Sequence, residues 1–103
     1  MMGIDITRIS RFDNKIKKEM FIKRLLHPLE IEQFKTENNP AKFLATRWAI
    51  KEALYKSDNN LFHFAKILLS VENCRYKFKN YLISTSIEDD YCIAWVIKEQ
   101  NES

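Results

Sequence analysis

Glu52 and Lys56 stand four residues apart in a stretch free of Gly and Pro, a spacing that sets them one turn from each other on the same face of a helix. A Glu-to-Lys pair of this kind is often no more than a surface device worth a few tenths of a kcal/mol. Partly withdrawn from water, the same pair can hold a divalent metal and a phosphate. Hard carboxylate oxygens suit Mg²⁺, and cationic side chains neutralise the remaining phosphate charge. Arg47 supplies a second cation on the same segment, Arg47-Trp48-Ala49-Ile50-Lys51-Glu52-Ala53, which is otherwise mainly apolar. A single carboxylate makes a thin Mg²⁺ site. Asp5 is the best second ligand if its segment packs beside this helix.

The elements that must bring these groups together are marked locally. In Met2-Gly3-Ile4-Asp5-Ile6-Thr7, Ile4 and Ile6 alternate with Asp5 and Thr7, the pattern of a half-buried strand with Asp5 pointing away from the isoleucines. Residues 10–26 predict short helical pieces. His27-Pro28-Leu29-Glu30 predicts a helix start, with Pro28 at the first helical position and Glu30 as a capping-box carboxylate. That helix should run to about Lys35. Asn39 and Pro40 open the longest helix, Pro40 to about Ser57, whose apolar residues cover most of its circumference and predict a central, mostly buried element. Asp58-Asn59-Asn60 should end it, Asn tolerating a left-handed backbone. Strands are expected over Ala65–Val71, Cys74–Phe78, Tyr81–Ser86 and Tyr91–Lys98, with Glu88-Asp89-Asp90 turning the last two into a hairpin. The fold class is therefore α+β, a mainly antiparallel sheet packed against a long central helix.

The 103 residues suffice for one domain, 1–103, with one modest core. A 46 % apolar and 30 % charged composition, with one Gly and two Pro, excludes disorder and repeat arrays. The longest apolar runs reach about a third of a membrane-spanning length, and the N-terminus lacks a basic-then-apolar leader, so a cytoplasmic, membrane-free location is expected. Cys74 and Cys92, widely spaced in strand-like segments, are expected to be buried free thiols.

The net charge of +3 fits an anionic ligand or an acidic partner. The cations concentrate early: Arg8, Arg11, Lys15, Lys17, Lys18, Lys23 and Arg24 face only Asp13 and Glu19 within residues 8–24. This is either a solvated face or a docking surface. Arg75-Tyr76-Lys77-Phe78-Lys79 alternates cations with aromatics, as in a nucleic-acid-binding module. An edge strand with Tyr76 and Phe78 inward and the cations in water explains it more simply.

Gly3-Ile4-Asp5-Ile6 followed by Phe43-Leu44-Ala45-Thr46-Arg47-Trp48-Ala49-Ile50-Lys51-Glu52-Ala53-Leu54-Tyr55-Lys56 resembles the two signature segments of holo-acyl-carrier-protein synthases, in the 4′-phosphopantetheinyl transferase superfamily. Arg24-Leu25-Leu26 with Glu30, and Ser84-Thr85-Ser86 with Tyr91-Cys92-Ile93-Ala94, resemble further family stretches in the same order. The resemblance implies the 4′-phosphopantetheinyl transferase-like fold and transfer of the 4′-phosphopantetheine arm from coenzyme A to a serine of apo acyl carrier protein. It implies Asp5 and Glu52 as Mg²⁺ ligands and, with Lys56, as the catalytic group. Arg47, Lys56, Asn59, Asn60 and Ser86 are implied for coenzyme A, and Arg11, Lys17, Lys18 and Arg24 for docking the acidic carrier protein. It further implies a homotrimer with coenzyme A between subunits and no nucleic acid. A catalytically degenerate member that only binds carrier protein or coenzyme A is the alternative.

The sequence departs from the family at four places. A glycine-free Asp58-Asn59-Asn60-Leu61-Phe62 replaces a Gly-rich turn, and Ile87 replaces a His of the last hairpin. His27 replaces a Thr that would cap the second helix, and the segment Val71–Tyr81 is short.

Overall fold

The computed structural model describes residues 1–100. Its elements follow in the order β1 (Met2–Arg8), a 3₁₀ turn (Ile9–Phe12), α1 (Glu19–Leu25), α2 (Pro28–Phe34), α3 (Pro40–Ser57), a second 3₁₀ turn (Phe64–Lys66), β2 (Ser70–Glu72), β3 (Arg75–Phe78), β4 (Tyr81–Glu88) and β5 (Tyr91–Lys98). The five strands form one antiparallel sheet in the order β1-β5-β4-β3-β2. The α+β architecture expected from the sequence is the one observed. No helix among the described residues is long and apolar enough to cross a membrane.

α3 starts where Asn39 and Pro40 place it: the Asn39 side chain accepts from Lys42 N at 3.2 Å, satisfying a donor that the first turn leaves free. The helix lies across β1 and β5, with Leu44, Ala45, Ala49, Ile50, Ala53 and Leu54 fully buried. Gly3 permits this approach, because a Cβ there would fall 1.9 Å from the Ala53 carbonyl oxygen. Only glycine lets strand and helix backbones meet so closely.

α2 begins with the expected capping box, Glu30 Oε1 accepting from His27 N at 3.0 Å. The hydroxyl that His27 lacks is replaced by its imidazole, whose Nδ1 accepts from Leu29 N at 3.1 Å. Glu30 does more than cap. It is fully buried and pairs with Lys51, also fully buried, whose ammonium further donates to the carbonyls of Leu25 (2.8 Å) and Phe64 (2.9 Å). One ionic cluster thus joins α1, α2, α3 and the second 3₁₀ turn.

Several expectations are corrected. β1 alternates as foreseen, but its sides are reversed: Gly3 and Thr7 are buried and Asp5 faces α3, while Ile4 and Ile6 are 60 % and 58 % exposed on the open side of the sheet. The close approach at Gly3 decides this, since it turns the odd-numbered residues toward the helix. The strand expected over Ala65–Val71 is reduced to Ser70–Glu72. Phe64–Lys66 forms a 3₁₀ turn and Leu69 N donates to Glu30 Oε2 at 3.4 Å, so the backbone there serves the buried cluster instead of a ladder. Cys74 lies outside a strand, exposed in a turn where it and Asn73 have φ of 63° and 53°; Cys92 is buried as expected. α3 ends on an extended Asp58 (φ −155°) rather than on a left-handed asparagine. In β3, Tyr76 and Phe78 are half-buried and Arg75 and Lys77 exposed, the arrangement of a strand that packs its aromatics inward.

Candidate active site

Asp5, Glu52 and Lys56 meet where β1 crosses the last turns of α3. Lys56 Nζ donates to Asp5 Oδ1 at 3.1 Å and to the Ile4 carbonyl at 2.9 Å, tying strand to helix. Asp5 is largely enclosed, its side chain 13 % exposed, and its Oδ2 is buried with no hydrogen-bond partner. Glu52 lies half-buried beside it. Burial first, and then the Asp5 carboxylate, push the Glu52 carboxyl above the usual glutamate range, against the opposing pull of Lys56 and Arg11.

An unpaired buried carboxylate oxygen next to a second, mutually repelling carboxylate is an arrangement that a hard cation relieves. Among the described residues no group of three or more His, Cys, Asp or Glu side chains is placed to hold a metal. Two carboxylates with an open remainder match Mg²⁺, which keeps water or substrate phosphate oxygens in its other positions. The residues present therefore fit the metal.

Arg11 borders this group. Its guanidinium carbon lies 4.8 Å from the Trp48 ring centre, and its Nη1 donates to Thr7 Oγ1 at 3.4 Å. The 3₁₀ turn that carries it is clamped to the β4–β5 hairpin: Ile9 N donates to the Asp90 carbonyl (2.7 Å), Ser10 N donates to Asp90 Oδ1 (3.0 Å) and Ser10 Oγ to Asp90 Oδ2. Thr7 and Trp48 were not singled out by sequence reasoning. Two signals point to them, since Thr7 shares the helix-facing parity of Asp5 and Trp48 lies one helical turn before Glu52.

Arg47 does not join the trio. Five residues along a helix leave an offset of about 140° from Glu52, and Arg47 turns instead to the far side of α3. There it is buried, with Nε 3.7 Å from Glu30 Oε2, Nη1 donating to Tyr76 Oη at 3.0 Å and the guanidinium over the Phe43 ring at 3.8 Å. It forms the floor of a cleft of about 260 Å³ at the α3 N-terminus, lined also by Asn38, Asn39 and Lys42. Lys51, beside Glu52 in sequence, is likewise structural, and burial pulls its ammonium below the usual lysine range despite Glu30.

Ser86 pairs with Ile93 on the open side of the sheet, opposite to Asp5, so within one chain it is separated from the trio by the sheet itself. Asn59 and Asn60 are exposed just past α3. The glycine-free loop carries no strain: among the described residues positive φ occurs only at Asn73, Cys74, Lys79 and Asp89. Asp58 is engaged there, its Oδ1 accepting from Asn60 N at 3.0 Å. Lys17 and Lys18 are exposed in the turn before α1, and Arg24 is exposed in α1, on the same N-terminal third as Arg11.

Comparisons with known proteins bear on this arrangement. A family model described as the 4′-phosphopantetheinyl transferase superfamily matches residues 1–101. The holo-[acyl-carrier-protein] synthase of Mycoplasma mobile is 54 % identical over 104 residues, spanning 100 % of this chain and 94 % of that protein. That of Mycoplasmopsis pulmonis is 44 % identical, spanning 95 % and 89 %. The crystal structure of the Neisseria meningitidis holo-[acyl-carrier-protein] synthase superposes with a TM-score of 0.81 at 24 % identity, covering 96 % of this chain and 97 % of that one, a likeness of fold. A strand carboxylate held against a helix Glu and Lys, on this fold and with this extent of match, places the chain in the 4′-phosphopantetheinyl transferase superfamily.

Proposed function

We propose that this chain transfers the 4′-phosphopantetheine arm of coenzyme A to a serine hydroxyl of an apo acyl carrier protein. The serine oxygen attacks the pantetheine-side phosphorus, the bond between the two phosphates breaks, adenosine 3′,5′-bisphosphate leaves, and the hydroxyl proton passes to a carboxylate of the site. The curated relatives named holo-[acyl-carrier-protein] synthase, matched along nearly their whole length, support the reaction. A related enzyme from Bacillus anthracis, similar in fold (TM-score 0.80), has been crystallised with coenzyme A (3′,5′-ADP).

The observation that carries the reading is the juxtaposition of the unpartnered Asp5 Oδ2 with Glu52 and Lys56. Asp5 and Glu52 would hold Mg²⁺, which supplies charge neutralisation on the pyrophosphate oxygens. Lys56, fixed to Asp5 and to the Ile4 carbonyl, adds positive charge where the leaving phosphate gathers negative charge. A carboxylate of the site, or a water held by the metal, would take the serine proton. Arg47, which the resemblance gives to coenzyme A, stands in the cleft at the α3 N-terminus beside Glu37 and Lys42, its guanidinium held by Glu30 and Tyr76. Asn59, Asn60 and, from a neighbouring copy, Ser86 complete the proposed coenzyme A contacts. Arg11, Lys17, Lys18 and Arg24 would dock the acidic carrier.

The open side of the sheet supports a homotrimer. Met2, Ile4, Ile6, Leu82 and Trp95 are between 44 % and 60 % exposed there across β1, β5 and β4, apolar side chains that association with further copies would cover. A cytoplasmic location fits substrates of this kind.

Mass spectrometry of apo acyl carrier protein incubated with the chain, coenzyme A and Mg²⁺ tests the reaction. The phosphopantetheine mass increment is expected; its absence across metals and pH would sink the reading and leave a binding-only member. Asp5→Asn and Glu52→Gln should each lower the rate by about a hundredfold or more, since each removes half of the charge that holds the metal. A wild-type rate in either variant contradicts the metal assignment.

A further inference from the structure

The two oxygens of Asp5 are unequal. Oδ1 accepts from Lys56 Nζ at 3.1 Å, whereas Oδ2 is buried with no partner. The ammonium is held a second time, by the Ile4 carbonyl at 2.9 Å, so it is seated against β1 in the last turn of α3. The two ends of this ion pair differ in their access to water, the Asp5 side chain being 13 % exposed and that of Lys56 51 %. Among the described residues Asp5 is in no other ion pair and Glu52 is in none. Within the trio one ammonium therefore stands against two carboxylates and is bonded to only one of them. Of its three N–H donors, two are used.

We propose that Lys56 sets the metal affinity of this centre, so that a divalent cation is held weakly alone and firmly only together with a phosphate-bearing ligand. The assignment rests on the function proposed above, in which that ligand is coenzyme A, and it adds a coupling between the two. A lysine in this seat opposes a cation twice. It takes Oδ1, which leaves Asp5 one free oxygen, and its charge repels a second positive ion at close range. The same charge attracts a phosphate, for which the exposed ammonium keeps its third donor. A phosphate that arrives there neutralises the charge the cation would otherwise feel and supplies oxygens that Asp5 withholds. By linkage the cation strengthens phosphate binding by the same factor. A lysine that served only to tie β1 to α3 would act with the opposite sign, since its removal would loosen Asp5 and weaken cation binding.

Titration of the full chain with Mn²⁺, read by electron paramagnetic resonance, tests this without carrier protein or turnover. Lys56→Met and Lys56→Gln should each bind Mn²⁺ about tenfold more tightly than wild type in the absence of coenzyme A. Saturating coenzyme A should tighten Mn²⁺ binding about tenfold or more in wild type and by clearly less in the two neutral variants. Lys56→Arg, which keeps the charge, should stay within about threefold of wild type. Arg11→Gln removes a neighbouring cation that is bonded to neither carboxylate and should tighten binding by no more than about twofold. Equal or weaker Mn²⁺ binding in the neutral variants overturns the proposal, as does a tightening in Lys56→Arg or Arg11→Gln as large as theirs. No Mn²⁺ binding in any of these proteins, with or without coenzyme A, overturns it together with the metal assignment. A wild-type chain that transfers nothing to carrier protein yet gives the expected Mn²⁺ shifts supports the coupling while the proposed reaction fails.

Discussion

Glu52 carries a charge that its surroundings disfavour, because it is half-buried and faces Asp5. In the metal-free protein this penalty is absent at a pH below the ordinary glutamate range, where Glu52 is protonated both folded and unfolded. It grows as the pH rises and the unfolded chain ionises first, and it is complete above the raised folded-state value. Glu52→Gln should therefore raise the metal-free Tm at neutral pH while abolishing transfer. Because solvent reaches Glu52 the gain should be a small upward shift of Tm, and it should fade in acid. Thermal unfolding of both proteins at neutral and acidic pH checks it, and a lower Tm for the variant at neutral pH would mean that no such penalty exists. At this scale the sequence showed which residue types could hold a metal, but not that Arg47 faces away. A cation five positions from Glu52 looks local in the chain and is remote on the helix. Nor did it expose Lys51, since a lysine among apolar residues gives no sign that its partner, Glu30, lies in another element.

At the scale of elements, the buried cluster of Glu30, Lys51 and the Leu25 and Phe64 carbonyls sets where α1 and α2 sit on α3. Lys51→Met leaves the Glu30 carboxylate enclosed without a counter-charge and should cost about 3–5 kcal/mol. Adding Glu30→Gln should return part of that, because the uncharged amide still accepts a backbone hydrogen bond. Denaturant titration separates the two; a loss below about 1 kcal/mol for Lys51→Met would mean that packing alone places these helices. α3 was legible because its start is signalled by Asn39 and Pro40 and nothing interrupts it. The sidedness of β1 was not. Alternation divides a strand into two faces without saying which meets the core, and here a glycine without a side chain outweighs two isoleucines. Of the expected Ala65–Val71 strand only Ser70 and Val71 were legible, while the backbone before them serves the buried cluster through Phe64 and Leu69, partners distant in sequence.

At the scale of the molecule, the apolar open side of the sheet is the main unburied liability. Sedimentation should give the mass of three chains, and Ile4→Lys with Trp95→Glu should leave monomers or aggregates without transfer activity, since charges at an apolar interface oppose association. A monodisperse wild-type monomer with full activity would exclude the trimer. Asp5 and Glu52 lie 47 positions apart, and the closeness of their carboxylates depends on the pairing of β1 with β5 and on α3 lying across both.

β1 is therefore a strand without a neighbour until β5 exists, and β5 is the last element described. During synthesis, Asp5 emerges early and waits for nearly the whole chain before its backbone has a ladder to join. The catalytic pocket cannot ripen in stages: a nascent or C-terminally clipped chain holds every proposed catalytic residue yet has no rigid seat for the first of them. Loss of β5 to proteolysis would silence the enzyme at a stroke, although no catalytic side chain had been removed.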